Sequence, residues 1–268
     1  IGDVAVPMEC TPTAGLLPFE GWYCGDTTVT VTETPGVADA ELAARRALRN
    51  IAFGTDPAGP VAVLDEAEAK QLLAAHGLPV PPGHRVATVE DAVASARELG
   101  FPVALKALGL AHKSEHDAVR LHLGDAAAVE RAGRDIAALG KDLYVERMVE
   151  GGLSELIVGV TRDPVFGPVM TIGTGGVLVE LLADSVTLLL PSGRADIEAA
   201  LRSLKLFPLL DGYRGRKRAD LDAALDAIVA IGDFALAEAG RLDELDINPL
   251  IVCADGAFVA DALMVVRN

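Results

Sequence analysis

Aromatic side chains are scarce in this 268-residue chain: one Trp, three Tyr and seven Phe, 4% of the positions. Surfaces that hold single-stranded nucleic acid stack bases on aromatic rows, and this composition does not supply them. Positive charge is thin as well. Lys and Arg total 23 against 39 Asp and Glu, a formal net charge of −16. Nucleic acid and anionic membrane surfaces are held by clustered Lys and Arg, so both are excluded as partners. A small phosphorylated molecule is not, because a few local cations or a divalent metal override the average. The three cysteines, Cys10, Cys24 and Cys253, form neither a close metal-ligand pair nor an even-numbered disulfide set, which points to a reduced, cytoplasmic setting. No basic n-region with an apolar h-region follows Ile1, so no signal peptide is expected. Long apolar runs are also missing. The longest helical candidate, residues 221–239, is interrupted by Asp222, Asp226, Asp233 and Glu238, which excludes a membrane span.

What the chain has in excess is small and branched apolar residues. Hydrophobic positions make up 51% and the mean hydropathy is +0.35, carried mostly by Ala, Val and Leu. Such a composition suits a packed core of helices and sheets, and the length suits one large domain or two small ones.

Punctuation divides the chain into three. Residues 1–36 form an irregular or β N-terminal segment, broken by Pro7, Pro12, Pro18 and Pro35. Residues 37–60 read as a helix and a linker rich in Gly and Pro. From residue 61 the pattern is regular. A strand at 61–64 is followed by Asp65 with Glu68 three later, a helix start, and Thr88 with Asp91 repeats the signature. Strands follow at 101–106 and 119–123, then a helix opened by Asp125. The second half holds strands at 143–146, 156–160, 168–172 and 177–182, helices near 197–206 and 221–236, and a final hairpin of 245–252 with 257–263. Strands in pairs with helices on one side give an α+β fold, with a first lobe over about 61–150 and a second over about 151–268.

Three clusters carry candidate chemistry. Lys106 closes the apolar run that starts at Phe101, and a buried ammonium there needs an anionic partner such as a nucleotide phosphate, unless it snorkels to solvent. Six residues on, His112 precedes Lys113 and Ser114; a neutral imidazole is a nucleophile towards phosphoryl groups, and nearby cations steady the group transferred. The second cluster runs from Glu146 through Arg147, Met148 and Val149 to a Gly-Gly turn and Glu155. Exposed backbone at 147–149 would pair with an adenine edge and a carboxylate would take a ribose hydroxyl; a charged turn with no ligand is the plainer alternative. The third is Asp246 and Asn248, two apart on a strand and so on one face, with Asp261 on the returning strand. Hard oxygen donors amid Leu, Ile and Val suit Mg²⁺.

Together these segments resemble a known family. From about residue 61 to 266 the runs LDEAEAKQLLAAHGLPVP, GFPVALKALGLAHKSEHDAVRL, YVERMVEGGLSELIVGVTRDPVFGPVMTIGTGGVLVELLAD, PLLDGYRGR, ELDINPLIV and FVADALM are similar to the ATP-grasp domain of NDP-forming acyl-CoA synthetases. The likeness is to the β-subunit type of the acetate–CoA ligase family, related to succinyl-CoA synthetase β, and it covers about three-quarters of the chain. It implies an ATP-grasp fold, two α+β lobes clamping a nucleotide, with an extra N-terminal segment. It implies ATP or ADP as substrate with Mg²⁺, and phosphate carried between nucleotide and phosphohistidine in step with acyl-CoA formation or cleavage. Lys106 would then hold phosphate, His112 would carry it, Glu146 to Val149 would form the adenine hinge and Glu155 would bind ribose. Asn248 and Asp261 would ligate Mg²⁺, with Asp246 beside them.

Two departures from the family pattern shape the expectation. Leu188 stands where relatives commonly have Arg, and neither a CoA-binding nor a ligase domain is present in these 268 residues. A CoA-binding α-type partner, in a hetero-oligomer or as further domains of a longer chain, is therefore expected. The alternatives are a non-catalytic nucleotide-sensing or assembly subunit, which Leu188 motivates, and an ATP-grasp carboxylate–amine ligase, which gives no role to the His112 loop.

Overall fold

In the computed structural model, which describes residues 59–109, 118–139, 142–176 and 184–267, the helix starts read from the sequence form as capped ends. Asp65 accepts the Glu68 amide at 3.1 Å while Glu68 accepts the Asp65 amide at 2.9 Å, a reciprocal box that opens α1 (Glu66–Ala75). Thr88 caps α2 (Val89–Leu99), and Gly100, at φ 83°, ends it in a conformation that a side chain would strain. Asp125 caps α3 (Ala126–Ile136). Then come α4 (Arg194–Ser203), the single turn α5 (Phe207–Leu210) and α6 (Leu221–Ala237), which Asp220 caps.

The strands form two antiparallel sheets, as the α+β expectation requires. The smaller has the order β2 (Gly83–Val86), β5 (Leu143–Arg147), β3 (Val103–Ala107) and β4 (Val119–Leu123). The larger runs β1 (Val61–Leu64), β11 (Ala262–Arg267), β9 (Leu242–Val252), β6 (Ser154–Asp163), β7 (Gly167–Thr174) and β8 (Ser185–Leu189), with β10 (Ala257–Val259) also on β9. Each sheet has its own core. Val103, Leu105, Leu143 and Val145 on one face of the small sheet meet Ala92 and Ala96 of α2 and Val129, Ala132 and Ile136 of α3. Alternate residues of the large sheet, among them Leu156, Val158, Leu245 and Ile247, pack on Leu201 of α4 and on Ile228, Ile231 and Phe234 of α6. Among the described residues no helix is long and apolar enough to cross a membrane.

Three features differ from the sequence reading. β1 pairs along its length with β11, Val61 opposite Arg267 and Leu64 opposite Met264, so residues 61–64 belong to the large sheet rather than to the first lobe. β2 and β8 are strands that the pattern did not announce, because Gly83-His-Arg-Val86 has no apolar alternation and Ser185–Leu189 is a short edge. The returning strand of the final hairpin is interrupted. β10 and β11 share the register of β9, Val259 opposite Leu250 and Ala262 opposite Ile247, but Ala260 and Asp261 between them leave the ladder. Residues 1–58, the expected phosphohistidine His112 and the expected strand 177–182 lie outside the described residues.

Candidate functional site at the junction of the sheets

The interruption at Ala260 has a chemical cause next to it. The Ala260 amide donates to the Pro249 carbonyl at 3.0 Å, but Pro249 has no N–H to return to Ala260. The Ala260 carbonyl is thus left available, and two lysines take it: Lys70 at 2.6 Å and Lys106 at 2.8 Å.

Both lysines come from elements whose geometry aims them there. Lys70 lies one turn after Glu66 on α1, so the two share a face, and their ends meet at 2.9 Å. Lys106 stands opposite Tyr144 on the small sheet, and Ala104 stands opposite Glu146, so all four project from the face turned away from the α2–α3 core. Lys106 reaches Glu66 at 2.5 Å and Glu146 at 2.7 Å, and Lys70 reaches the other oxygen of Glu146 at 2.5 Å. Two ammonium groups and two carboxylates are buried together, each side chain at most 6% exposed. Burial alone would depress the Lys106 pKa, yet Glu66, Glu146 and Asp261 together hold it well above the usual lysine range. The Tyr144 hydroxyl is pushed up by burial and by the same two glutamates. Its ring leaves no space over Gly83, where a Cβ would come within 2.5 Å of the hydroxyl oxygen. A cavity of about 650 Å³ lies beside α1, lined in part by Lys70, Gln71, Gly83, Arg85 and Tyr144, and none of the expected hinge or metal residues borders it.

The oxygen donors of the third cluster flank the same break. The Asn248 amide donates to the Asp261 carbonyl at 3.3 Å, and Asp261 Oδ1 accepts the Ala262 amide at 2.8 Å. Asn248 is exposed, while Asp246 and Asp261 are half-buried. Burial, then the neighbouring charges of Glu244 and Asp261, raise the pKa of Asp246. Among the described residues no three His, Cys, Asp or Glu side chains gather as a metal cluster. A metal held here would meet two carboxylates and the Asn248 amide oxygen, donors few and hard, as suits an ion such as Mg²⁺ that keeps several waters. Mutual repulsion of the two carboxylates is what a cation there would relieve. These residues fit the metal.

The second cluster is only partly as expected. The Arg147 amide donates to the Pro82 carbonyl at 2.9 Å and the Met148 amide to Pro102 at 3.1 Å, so both are engaged within the small lobe and are not exposed for an adenine edge. The Arg147 guanidinium closes on the Leu99 carbonyl at the end of α2, and the Glu146 carboxylate belongs to the ion cluster. These bonds follow from the hydrogen-bonding demand of the inner strand β5 where it ends beside Pro82 and Pro102, and they narrow the hinge reading to the other backbone groups of the segment. Glu155, exposed at the start of β6, accepts the Gly175 amide on its backbone carbonyl at 2.8 Å. A Cβ on Gly176 would come within 2.7 Å of its carboxylate. Leu188 pairs with Met170 and packs half-buried against the large core, so apolar packing occupies the position expected to hold Arg.

Comparison with known proteins gives the family and the fold. The profile of the ATP-grasp domain matches residues 58–266. The β subunit of acetate–CoA ligase [ADP-forming] I from Pyrococcus furiosus is 35% identical over 213 residues, 75% of this chain and 91% of that subunit. The chain belongs to the ATP-grasp family of ADP-forming acyl-CoA ligases. The single-chain acetate–CoA ligase [ADP-forming] I of Archaeoglobus fulgidus is 36% identical over 210 residues, and this ATP-grasp chain spans only 30% of it. The fold is also that of the dinucleotide-forming acetyl-coenzyme A synthetase 1 of Ca. Korarchaeum cryptofilum, solved with coenzyme A and Mg-AMPPCP, its phosphohistidine segment pointing towards the nucleotide-binding site. The TM-score is 0.68 at 34% identity, over 82% of this chain and 98% of that one.

In this ATP-grasp chain the sequence marks Lys106, Glu146 and Asp261 but not the rest of the cluster. Glu66, Lys70 and Tyr144 were not singled out. One signal was available: Lys70 adjoins Ala69 on the stripe that continues to Leu73, so the Glu66–Lys70 pair sits on the buried face of α1, not on a solvated one.

Proposed function

We propose that the chain binds ADP or ATP with Mg²⁺ at the junction of its two sheets and passes a phosphoryl group between that nucleotide and His112, as the β-type subunit of an acid–CoA ligase. The observation that supports this most is the meeting, at one interrupted strand, of a buried phosphate-binding type of cation with hard oxygen donors: Lys106 on the Ala260 carbonyl, and Asp261 beside it.

In this reading Lys106 fixes a phosphate, and Glu155 takes a ribose hydroxyl. The segment from Glu146 to Val149 runs along the base. With the Arg147 and Met148 amides engaged, base contacts fall to the remaining backbone groups of that segment. Asn248 and Asp261 hold the metal with Asp246 beside them. Mg²⁺ supplies charge neutralisation at the phosphate oxygens, the main requirement of phosphoryl transfer besides alignment. A ring nitrogen of His112 bonds to the γ-phosphorus as the bond from phosphorus to the β-phosphate oxygen breaks. ADP departs with that electron pair, and the imidazole releases its proton; the reverse forms ATP. The acyl group and CoA are handled by a CoA-binding α-type subunit or by further domains of a longer chain.

The test uses ATP labelled at its γ-phosphate. Label is expected on the full chain, with its partner where needed, and is expected to vanish in His112→Ala. Label that persists in that variant removes His112 from the mechanism. A second reading, nucleotide sensing without transfer, draws on Leu188 packed half-buried against the core at the position where the family resemblance leads one to expect Arg. It requires Mg-ADP binding with no label at all.

A further inference from the structure

An ammonium group has three N–H donors. Each lysine of the buried cluster meets three acceptors. Lys70 reaches Glu66 Oε1 at 2.9 Å, Glu146 Oε2 at 2.5 Å and the Ala260 carbonyl at 2.6 Å. Lys106 reaches Glu66 Oε1 at 2.5 Å, Glu146 Oε1 at 2.7 Å and the same carbonyl at 2.8 Å. So arranged, Lys106 keeps no donor for a phosphate oxygen. To hold one it must give up part of this set.

The two lysines duplicate each other in what they bind but not in where they stand. The Lys70 side chain is 1% exposed, anchored on α1 with its ammonium 5.5 Å from the centre of the Tyr144 ring. Lys106 is the more accessible at 6%, and the Asp261 carboxylate acts on it from the side of the oxygen donors. Withdrawing Lys106 leaves Glu66, Glu146 and the carbonyl each still bonded to Lys70. Withdrawing Lys70 makes Lys106 the only lysine of the cluster left to two buried carboxylates, and a buried charge without its partner is strongly disfavoured.

We propose that Lys70 is a positioning residue, the resident counter-ion of Glu66 and Glu146 whose presence lets Lys106 exchange the cluster for a nucleotide phosphate. The inference rests on the reading of Lys106 as the phosphate ligand. Without Lys70, nucleotide phosphate has to compete with both glutamates for one cation.

Binding to the full chain tests this, with Mg-ADP measured by calorimetry and adenosine by ligand-observed NMR. Lys106→Met and Lys70→Met are each expected to weaken Mg-ADP by about 10-fold or more while leaving adenosine unchanged, as loss of a partner in a buried charge set implies. Glu66→Gln removes one competitor, so it tightens Mg-ADP in the otherwise native chain, and added to Lys70→Met it restores affinity to within about 3-fold of the native chain. Weakened binding in Lys106→Met with native affinity in Lys70→Met overturns the counter-ion role alone. Native affinity in Lys106→Met overturns the phosphate reading beneath it. Equal loss for Mg-ADP and adenosine, or no rescue by Glu66→Gln, reduces Lys70 to a structural part and overturns the proposal. If Lys70→Met does not fold, Glu66→Gln decides: tighter Mg-ADP supports the proposal, and unchanged or weaker binding overturns it.

Discussion

Glu146 accepts from Lys70 on one carboxylate oxygen and from Lys106 on the other, 4% exposed beneath Tyr144. Deleting it as Glu146→Ala leaves two ammonium groups bonded to the one carboxylate of Glu66, and the expected cost is about 3–5 kcal/mol in urea-monitored stability. Alkaline titration probes the same group from the other side. The folded pKa of Lys106 lies above its unfolded value, so its stabilising contribution is complete below the unfolded value and fades only as pH climbs through the folded one. The stability difference between the native chain and Lys106→Met is therefore expected to stay level from about pH 6 to 9 and to shrink only beyond the ordinary lysine range. A difference that shrinks across neutral pH would show that the cluster is not charged as described. At this scale the sequence exposes single residues but not their company. Lys106 is conspicuous at the end of an apolar strand, whereas Glu66 and Lys70, four apart on a helix, look like any solvated pair. The stripe through Ala69 and Leu73 is the one local hint of their burial, and the placement of α1 against both sheets completes it.

The elements that carry these residues are short, so their ends matter. α1 has ten residues and starts on the reciprocal Asp65–Glu68 cap, directly before Glu66. Asp65→Ala removes the cap and an ion pair with Arg85, for an expected loss of about 1 kcal/mol. The measurement is a denaturant midpoint, and weaker Mg-ADP binding should accompany the shift because Glu66 stands in that first turn and Lys70 one turn later. β2 has a different constraint. Gly83→Ala would set a methyl group against the Tyr144 hydroxyl and 2.9 Å from the Glu146 Cβ. Such overpacking costs about 1–3 kcal/mol, and thermal unfolding would register it. Helices were the legible elements, since Asp65, Thr88 and Asp125 are local signals with local causes. β2 was not, because Gly83-His-Arg-Val86 becomes a strand through its bonds to β5, 60 residues away in the chain. The split of β10 from β11 was hidden for a related reason: an apolar run reads the same whether or not its partner's proline can return a hydrogen bond.

The molecule as a whole joins two cores that are built separately. Ile231 is fully buried in the larger, between α6 and the sheet. Ile231→Ala is expected to cost about 2–5 kcal/mol through lost burial and the cavity left behind. Because that site lies on the helix-covered face, the ratio of Mg-ADP to adenosine affinity should stay at the native value in the same variant; a changed ratio would mean that the helical layer shapes the phosphate site. Mg-ADP in excess raises the melting temperature of any chain that binds it in the folded state, and no shift at saturating nucleotide would count against the nucleotide site itself. The chain's two lobes were visible in outline, but the role of β1 was not, since nothing in Val61-Ala-Val-Leu64 names a partner some 200 residues away. That pairing puts Val61 beside Arg267. The chain thus enters and leaves the nucleotide module through one door, at one edge of the large sheet. Polypeptide attached at either end starts from that edge. A module with such adjacent ends can be spliced into a longer polypeptide or cut free as a subunit without disturbing its interior, and its relatives in Archaeoglobus fulgidus and Pyrococcus furiosus exist in those two forms.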